Sequence, residues 1–152
     1  MESIMKKWHI ILILALVSLS LTSCIGKVTV TAEIDGMNLM GYWAVTEDSR
    51  YENVANVRSY WWFNDEGNLF YYESQSPLGS PFSNGVLDTT GNKFDCIFAV
   101  GFDLTGSDLY LMNGLEAVKY GTIAVTSSDS YTFTVTGDNG YVQTCERIRT
   151  IK

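Results

Sequence analysis

Ser59-Tyr60-Trp61-Trp62-Phe63-Asn64-Asp65-Glu66-Gly67-Asn68-Leu69-Phe70-Tyr71-Tyr72-Glu73 is the stretch on which the fold turns. Aromatic residues dominate both halves, and such residues favour strands because their rings pack well on a pleated surface. The centre, Asp65-Glu66-Gly67-Asn68, is turn chemistry, with Gly67 free to take a positive φ. The segment therefore reads as a hairpin, with strands over Ser59 to Asn64 and Leu69 to Glu73. Side chains alternate between the two faces of a strand. A turn centred on Glu66-Gly67 sets Phe63 opposite Phe70 and Trp61 opposite Tyr72 on one face. Trp62 and Tyr71 then share the other. The opening strand of the chain suggests Trp61 and Phe63 for the inner side. That makes Trp61, Phe63, Phe70 and Tyr72 the candidate ligand contacts. Three readings of these rings stay open. The inner set is core, or it lines a pocket for a small apolar molecule, or exposed Trp62 and Tyr71 stack on a sugar.

The same vocabulary of strand and turn runs outward from this hairpin. Gly41 to Thr46, Phe94 to Val100, Asp108 to Met112, Val118 to Thr126, Tyr131 to Thr136 and Tyr141 to Ile151 read as strands. Val86 and Leu87 read as a short one. Gly137-Asp138-Asn139-Gly140 is a hairpin turn. Helical periodicity is missing between them, although Glu47 to Val57 has room for one short helix. About eight short antiparallel strands at this spacing specify an all-β domain, an up-and-down β-barrel or alternatively a β-sandwich. Asp65-Glu66, Asp138-Asn139 and the stretch from Asp103 to Asp108 lack the ligand register of a calcium loop and read as turns.

The first 24 residues have a different character. Lys6 and Lys7 precede an apolar run from Ile10 to Leu21, broken only by Ser18 and Ser20. That run suits a signal h-region and is short of the ~20 residues a membrane-spanning helix needs. Leu21-Thr22-Ser23-Cys24 closes it. The segment resembles a bacterial lipoprotein signal peptide cleaved before Cys24, with that cysteine carrying the lipid. The expected organisation is a signal peptide over 1–23, a lipid-anchored tether over 24–38 and one β domain over 39–152.

The chain holds 10 basic and 17 acidic residues, and the leader removes Lys6, Lys7 and Glu2 from that tally. The remainder is strongly acidic, which argues against nucleic acid, a partner that rewards clustered Lys and Arg. Attraction to an anionic membrane surface is likewise not expected, so the lipid must do the anchoring. The single histidine, His9, lies in the leader. Without it the domain has no Ser-His-Asp or Cys-His nucleophile and no His-ligated zinc. We therefore expect no cofactor, no metal and no enzyme. A carboxylate-based glycan enzyme would need two carboxylates across a cleft, and no pair stands out in the sequence. Cys96 and Cys145 remain, either as a disulfide or as two buried thiols.

The order of landmarks resembles the lipocalin-like domain lipoproteins common in Bacteroidetes. Leu39-Met40-Gly41-Tyr42-Trp43 is similar to that group's Leu-x-Gly-x-Trp first strand. Trp61-Trp62-Phe63-Asn64-Asp65-Glu66-Gly67 is similar to its strand ending in Phe-x-x-x-Gly. Tyr120-Gly121-Thr122-Ile123 through Glu146-Arg147-Ile148 is like its closing strands. The resemblance implies a barrel with Trp43 packed across one end and Arg147 over its ring, a cation–π contact. It also implies a cavity, without naming a ligand. Asp88-Thr89-Thr90 looks like an O-glycosylation acceptor of related organisms. The expected function is a lipid-anchored envelope protein holding a small apolar ligand inside the barrel. The alternative is a filled barrel that meets an envelope protein or glycan through its outer aromatics. The expected location is the outer membrane, facing the periplasm, with the cell surface second.

Overall fold

The computed structural model describes residues 30–51, 57–74, 82–91, 93–127 and 131–152. The expected signal peptide, Cys24, the Pro77–Pro81 stretch and the centre of the expected 47–57 helix lie outside these. Among the described residues thirteen strands run in chain order: β1 Glu33–Ile34, β2 Met37–Asn38, β3 Gly41–Asp48, β4 Ser59–Phe63, β5 Asn68–Ser74, β6 Phe82–Ser83, β7 Val86–Leu87, β8 Phe94–Thr105, β9 Asp108–Asn113, β10 Glu116–Ser127, β11 Thr132–Gly137, β12 Val142–Ile148 and β13 Thr150–Ile151.

Eight of them, β3-β4-β5-β8-β9-β10-β11-β12, form a closed antiparallel barrel in up-and-down order. Closure is made by β12 against β3, from Ile148 opposite Tyr42 to Gln143 opposite Asp48. A closed ring leaves no edge strand to recruit another chain. Alternation then sorts the side chains. Trp43, Val45, Trp61, Phe63, Leu69, Tyr71, Phe102, Leu109, Ile123, Phe133, Val135 and Cys145 form one interior cluster. Fully burying a side chain of this size stabilises the fold by roughly 1.5–3 kcal/mol.

The first turn of the barrel corrects the sequence reading. The chain pairs Phe63 with Leu69, Trp62 with Phe70, Trp61 with Tyr71 and Tyr60 with Tyr72. Asn64 is the reason. Its amide donates to the Asn68 carbonyl at 2.9 Å, and its own carbonyl accepts from Gly67 at 3.2 Å. Its side-chain Oδ1 accepts from the amides of Glu66 and Asn68. Gly67 sits at φ 80°. The loop thus has three residues with a left-handed glycine, a common hairpin geometry. Its odd length slips the register by one, and such a slip flips every side chain of the returning strand. Trp61 and Phe63 point inward as expected. Phe70 and Tyr72 point outward, and Leu69 and Tyr71 take the inner places.

The tether also needs correcting over its described part. Residues 30–40 are a plug in one end of the barrel. Asp35 and Gly36, at φ 50° and 80°, make a two-residue turn of the kind that matches strand twist. The alternating Ala32, Ile34, Met37 and Leu39 are buried in the main core. Val30 donates its amide to the Asp65 carbonyl in the β4–β5 turn.

A three-stranded sheet, β13-β7-β6, lies outside the barrel. Leu87 and Phe82 pack with Ala44, Ile148, Val57, Tyr42 and Tyr60. The expected last strand is therefore two. It leaves the barrel at Arg149, whose amide donates to the Gly85 carbonyl, and continues beside β7.

Candidate functional site

Four features of the barrel carry chemistry. The first is its interior. Trp61 is 0% exposed and packs against Phe63, Tyr71 and Tyr120, with ring centroids 5.8, 6.3 and 5.4 Å away. Phe63 meets Phe102 edge to face at 5.1 Å. Around this pair the barrel is lined by interlocked rings. The indole Nε1 of Trp61 is buried and has no hydrogen-bond acceptor among the described residues. A buried donor left unpaired carries a desolvation cost of about 1–3 kcal/mol.

The second is a polar network at the rim opposite the plug. Asp48, at the end of β3, faces inward and is 7% exposed. Arg50 grips it with two bonds, Nε to Oδ1 at 2.9 Å and Nη2 to Oδ2 at 2.6 Å. The Arg50 amide and Gln143 Nε2 add two more. Burial opposes the Asp48 charge, but these bonds together outweigh it and hold the carboxyl below its ordinary range. Gln143 in turn accepts from the Tyr120 hydroxyl at 3.2 Å. Burial and the neighbouring Tyr141 push the Tyr120 hydroxyl well above the usual tyrosine range. The Arg50 guanidinium lies 4.6 Å over the Tyr141 ring.

The third lies just outside this rim. Thr46 is an extra residue in β3, because Thr144 pairs with Glu47 while Cys145 pairs with Val45. Such bulges bend a strand and re-aim its side chains. A cleft of about 390 Å³ opens there, lined by Thr46, Glu47, Asp48, Ser49, Tyr51, Val142 and Thr144.

The fourth is a ladder of rings on the outer wall. Tyr42 stacks on Trp62 at 5.3 Å, and Trp62 on Phe70 at 4.7 Å. Tyr60 stacks on Tyr72 at 4.6 Å and leans on Phe94 at 5.3 Å. All six are only partly covered. Burial, with Tyr72 and Tyr42 alongside, pushes the Tyr60 hydroxyl up to about 12.

The remaining sequence candidates divide among these places. Trp43 is 0% exposed, and the Arg147 guanidinium lies 4.0 Å over its ring. Of the four proposed ligand contacts, Trp61 and Phe63 come together inside, while Phe70 and Tyr72 belong to the outer ladder. Tyr71, expected outside, is 8% exposed and inside. The disulfide is not formed. Cys145 is buried in the core and Cys96 is exposed, so both thiols are free. Cys96 pairs with outward Tyr72, so the two sulfurs lie on opposite faces of the wall. The Thr89 hydroxyl, the expected glycosylation acceptor, donates to the Lys152 carbonyl. Among the described residues no group of three His, Cys, Asp or Glu is placed to hold a metal.

The rim network and the cleft were missed in the sequence. Asp48-x-Arg50 at a strand end and Gln143 at an inward parity were the available signals. Comparison with protein-family models, with curated proteins and with solved structures finds no match for the chain.

Proposed function

We propose that this chain is a lipid-anchored, non-catalytic protein of the cell envelope, of the lipocalin-like kind, that meets a protein partner through the outside of its barrel. The observation that carries this is the contrast between the two walls. The interior rings of Trp43, Trp61, Phe63 and Phe133 are at most 1% exposed, whereas Tyr42, Trp62, Phe70, Tyr60 and Tyr72 stay partly open. Aromatic residues with depleted charge mark the centres of protein interfaces. Stacked face to face, these rings turn their edges outward, so a sugar finds few free faces on which to lie.

The leader motif ending in Leu21-Thr22-Ser23-Cys24 supports the anchor. Cys24 lies six residues before Val30, and six extended residues reach at most about 20 Å. Val30 sits at the plugged end, so that end would face the bilayer. The rim carrying Asp48 would face away, into the periplasm or, as the second placement, the medium. The resemblance of the leader to lipoprotein signal peptides supports the outer membrane as the location.

A photo-crosslinking side chain at Trp62, in the native host, tests the partner. One discrete protein adduct from Trp62, missing when the same probe replaces exposed Thr136, is the expected result. Equal labelling from both positions would end the proposal.

Trp61 favours a second reading, a small molecule held inside the barrel. Its unpaired Nε1 would donate to a guest bearing one acceptor on an otherwise apolar body. Native mass spectrometry of the chain from its own host separates the two. A bare mass supports the filled barrel, and a reproducible excess lost on denaturation supports the guest.

A further inference from the structure

We propose that the cleft over the β3 bulge is a binding site for a single neutral sugar unit. Its walls supply what hydroxyl-rich ligands need, acceptors and donors side by side. Among the described residues only the Thr144 hydroxyl donates to Glu47, to Oε2 at 2.9 Å, so Oε1 is available to accept. The Ser49 Oγ accepts the Val142 amide at 2.8 Å, which leaves its own proton to give. The Thr46 hydroxyl is spent on the Thr144 carbonyl at 3.3 Å, but its oxygen still has a lone pair for the ligand.

Tyr51 forms the apolar wall. Its ring is 41% exposed, and the guanidinium carbons of Arg50 and Arg58 stand 5.7 and 5.6 Å from its centroid. They hold the ring in place, which lowers the entropy lost on binding. The volume of about 390 Å³ lies at the small end of the ligand-site range. Charge narrows the ligand class further. Glu47 in the lining repels anions, and the Arg50 charge beside Tyr51 is already neutralised by Asp48. Asp48 is saturated by Arg50 and Gln143 and acts as the fixed floor. This site is separate from the aromatic ladder and does not depend on it.

Amide spectra of the intact chain would be recorded during titration with D-galactose, D-mannose and N-acetyl-D-glucosamine. Immobilised glycans ending in the same units form a second arm. The expected result is millimolar binding of at least one sugar, with shifts at Glu47, Ser49, Tyr51 and Thr144. Tyr51→Ala and Glu47→Ala should each weaken it about tenfold. Thr144→Val keeps the shape of the wall and should weaken it several-fold, which guards against a misfolded alanine variant. Tighter binding to the glycans would place the natural ligand at a glycan end, and equal binding would make it a free sugar. No shift with any sugar, a loss-free response of all three variants, or tighter binding of choline than of the sugars would overturn the proposal.

Discussion

Arg147 caps Trp43. The guanidinium lies 4.0 Å over the indole centroid, and its two terminal nitrogens donate to the carbonyls of Met40 and Asn38. The indole Nε1 donates to the Leu39 carbonyl at 2.7 Å. One side chain thus ties the first and last barrel strands to the end of the plug. Arg147→Lys keeps the charge but loses the planar fork that serves two carbonyls and the ring together. We expect a loss of about 1–3 kcal/mol, read as a lower midpoint in urea unfolding. An unchanged midpoint would remove the capping role.

Asp48 makes stability depend on acid. Its folded carboxyl is held below its ordinary value by Arg50 and Gln143 in spite of burial. A depressed value means that the contribution is present above the unfolded carboxylate range and is lost as pH falls through the folded one. Urea midpoints should therefore fall more steeply on acidification in the wild type than in Asp48→Asn. At neutral pH, Asp48→Asn should cost about 1–3 kcal/mol, because Arg50 loses its counter-ion in a half-buried setting. Parallel pH curves for the two proteins would contradict this.

Tyr60, Tyr71 and Tyr120 are all raised by burial. Their protonated forms stabilise the fold fully below the ordinary tyrosine range. That stabilisation is lost as pH climbs through the folded values, about 12 for Tyr60. An ultraviolet titration of phenolate should show an early group of tyrosines and a late one that ionises as the barrel unfolds. Tyr60→Phe should shrink the late group. A single early transition for all tyrosines would count against the packing described.

The two cysteines differ in reactivity. In a chain carrying Cys24→Ser, a maleimide should label Cys96 rapidly. Cys145, buried and with its thiol pushed up by desolvation, should react only on unfolding. The intact mass should show no loss of two hydrogens. Protection of both thiols without denaturant would contradict the opposite-face placement.

Much of the barrel could be read from local pattern. The Trp61–Phe63 hairpin, the strand from Phe94, the Asp108 strand and the Gly137–Gly140 turn stand where alternation and turn residues put them. These signals depend on neighbours in the chain. The candidate sites were less legible. Phe70 and Tyr72 changed faces because Asn64 and Gly67 make an odd-length loop, and parity in the next strand follows from that single count. Ala32, Ile34, Met37 and Leu39 alternate in the sequence too. Whether such a short hairpin packs or dangles depends on an opening in the barrel that local pattern does not reveal. Tyr51 and Glu47 became neighbours of Thr144 only through the β12–β3 closure.

Composition and period-two patterning by themselves determined that the chain folds as an antiparallel β domain, since strand preference and turn chemistry act over a few residues. Which rings fill the barrel, which stay outside, where Cys96 and Cys145 point and how Asp48 finds Gln143 were decided by the tertiary structure. Those outcomes rest on register, bulges and ring closure, which couple residues roughly a hundred positions apart through the sheet hydrogen bonds.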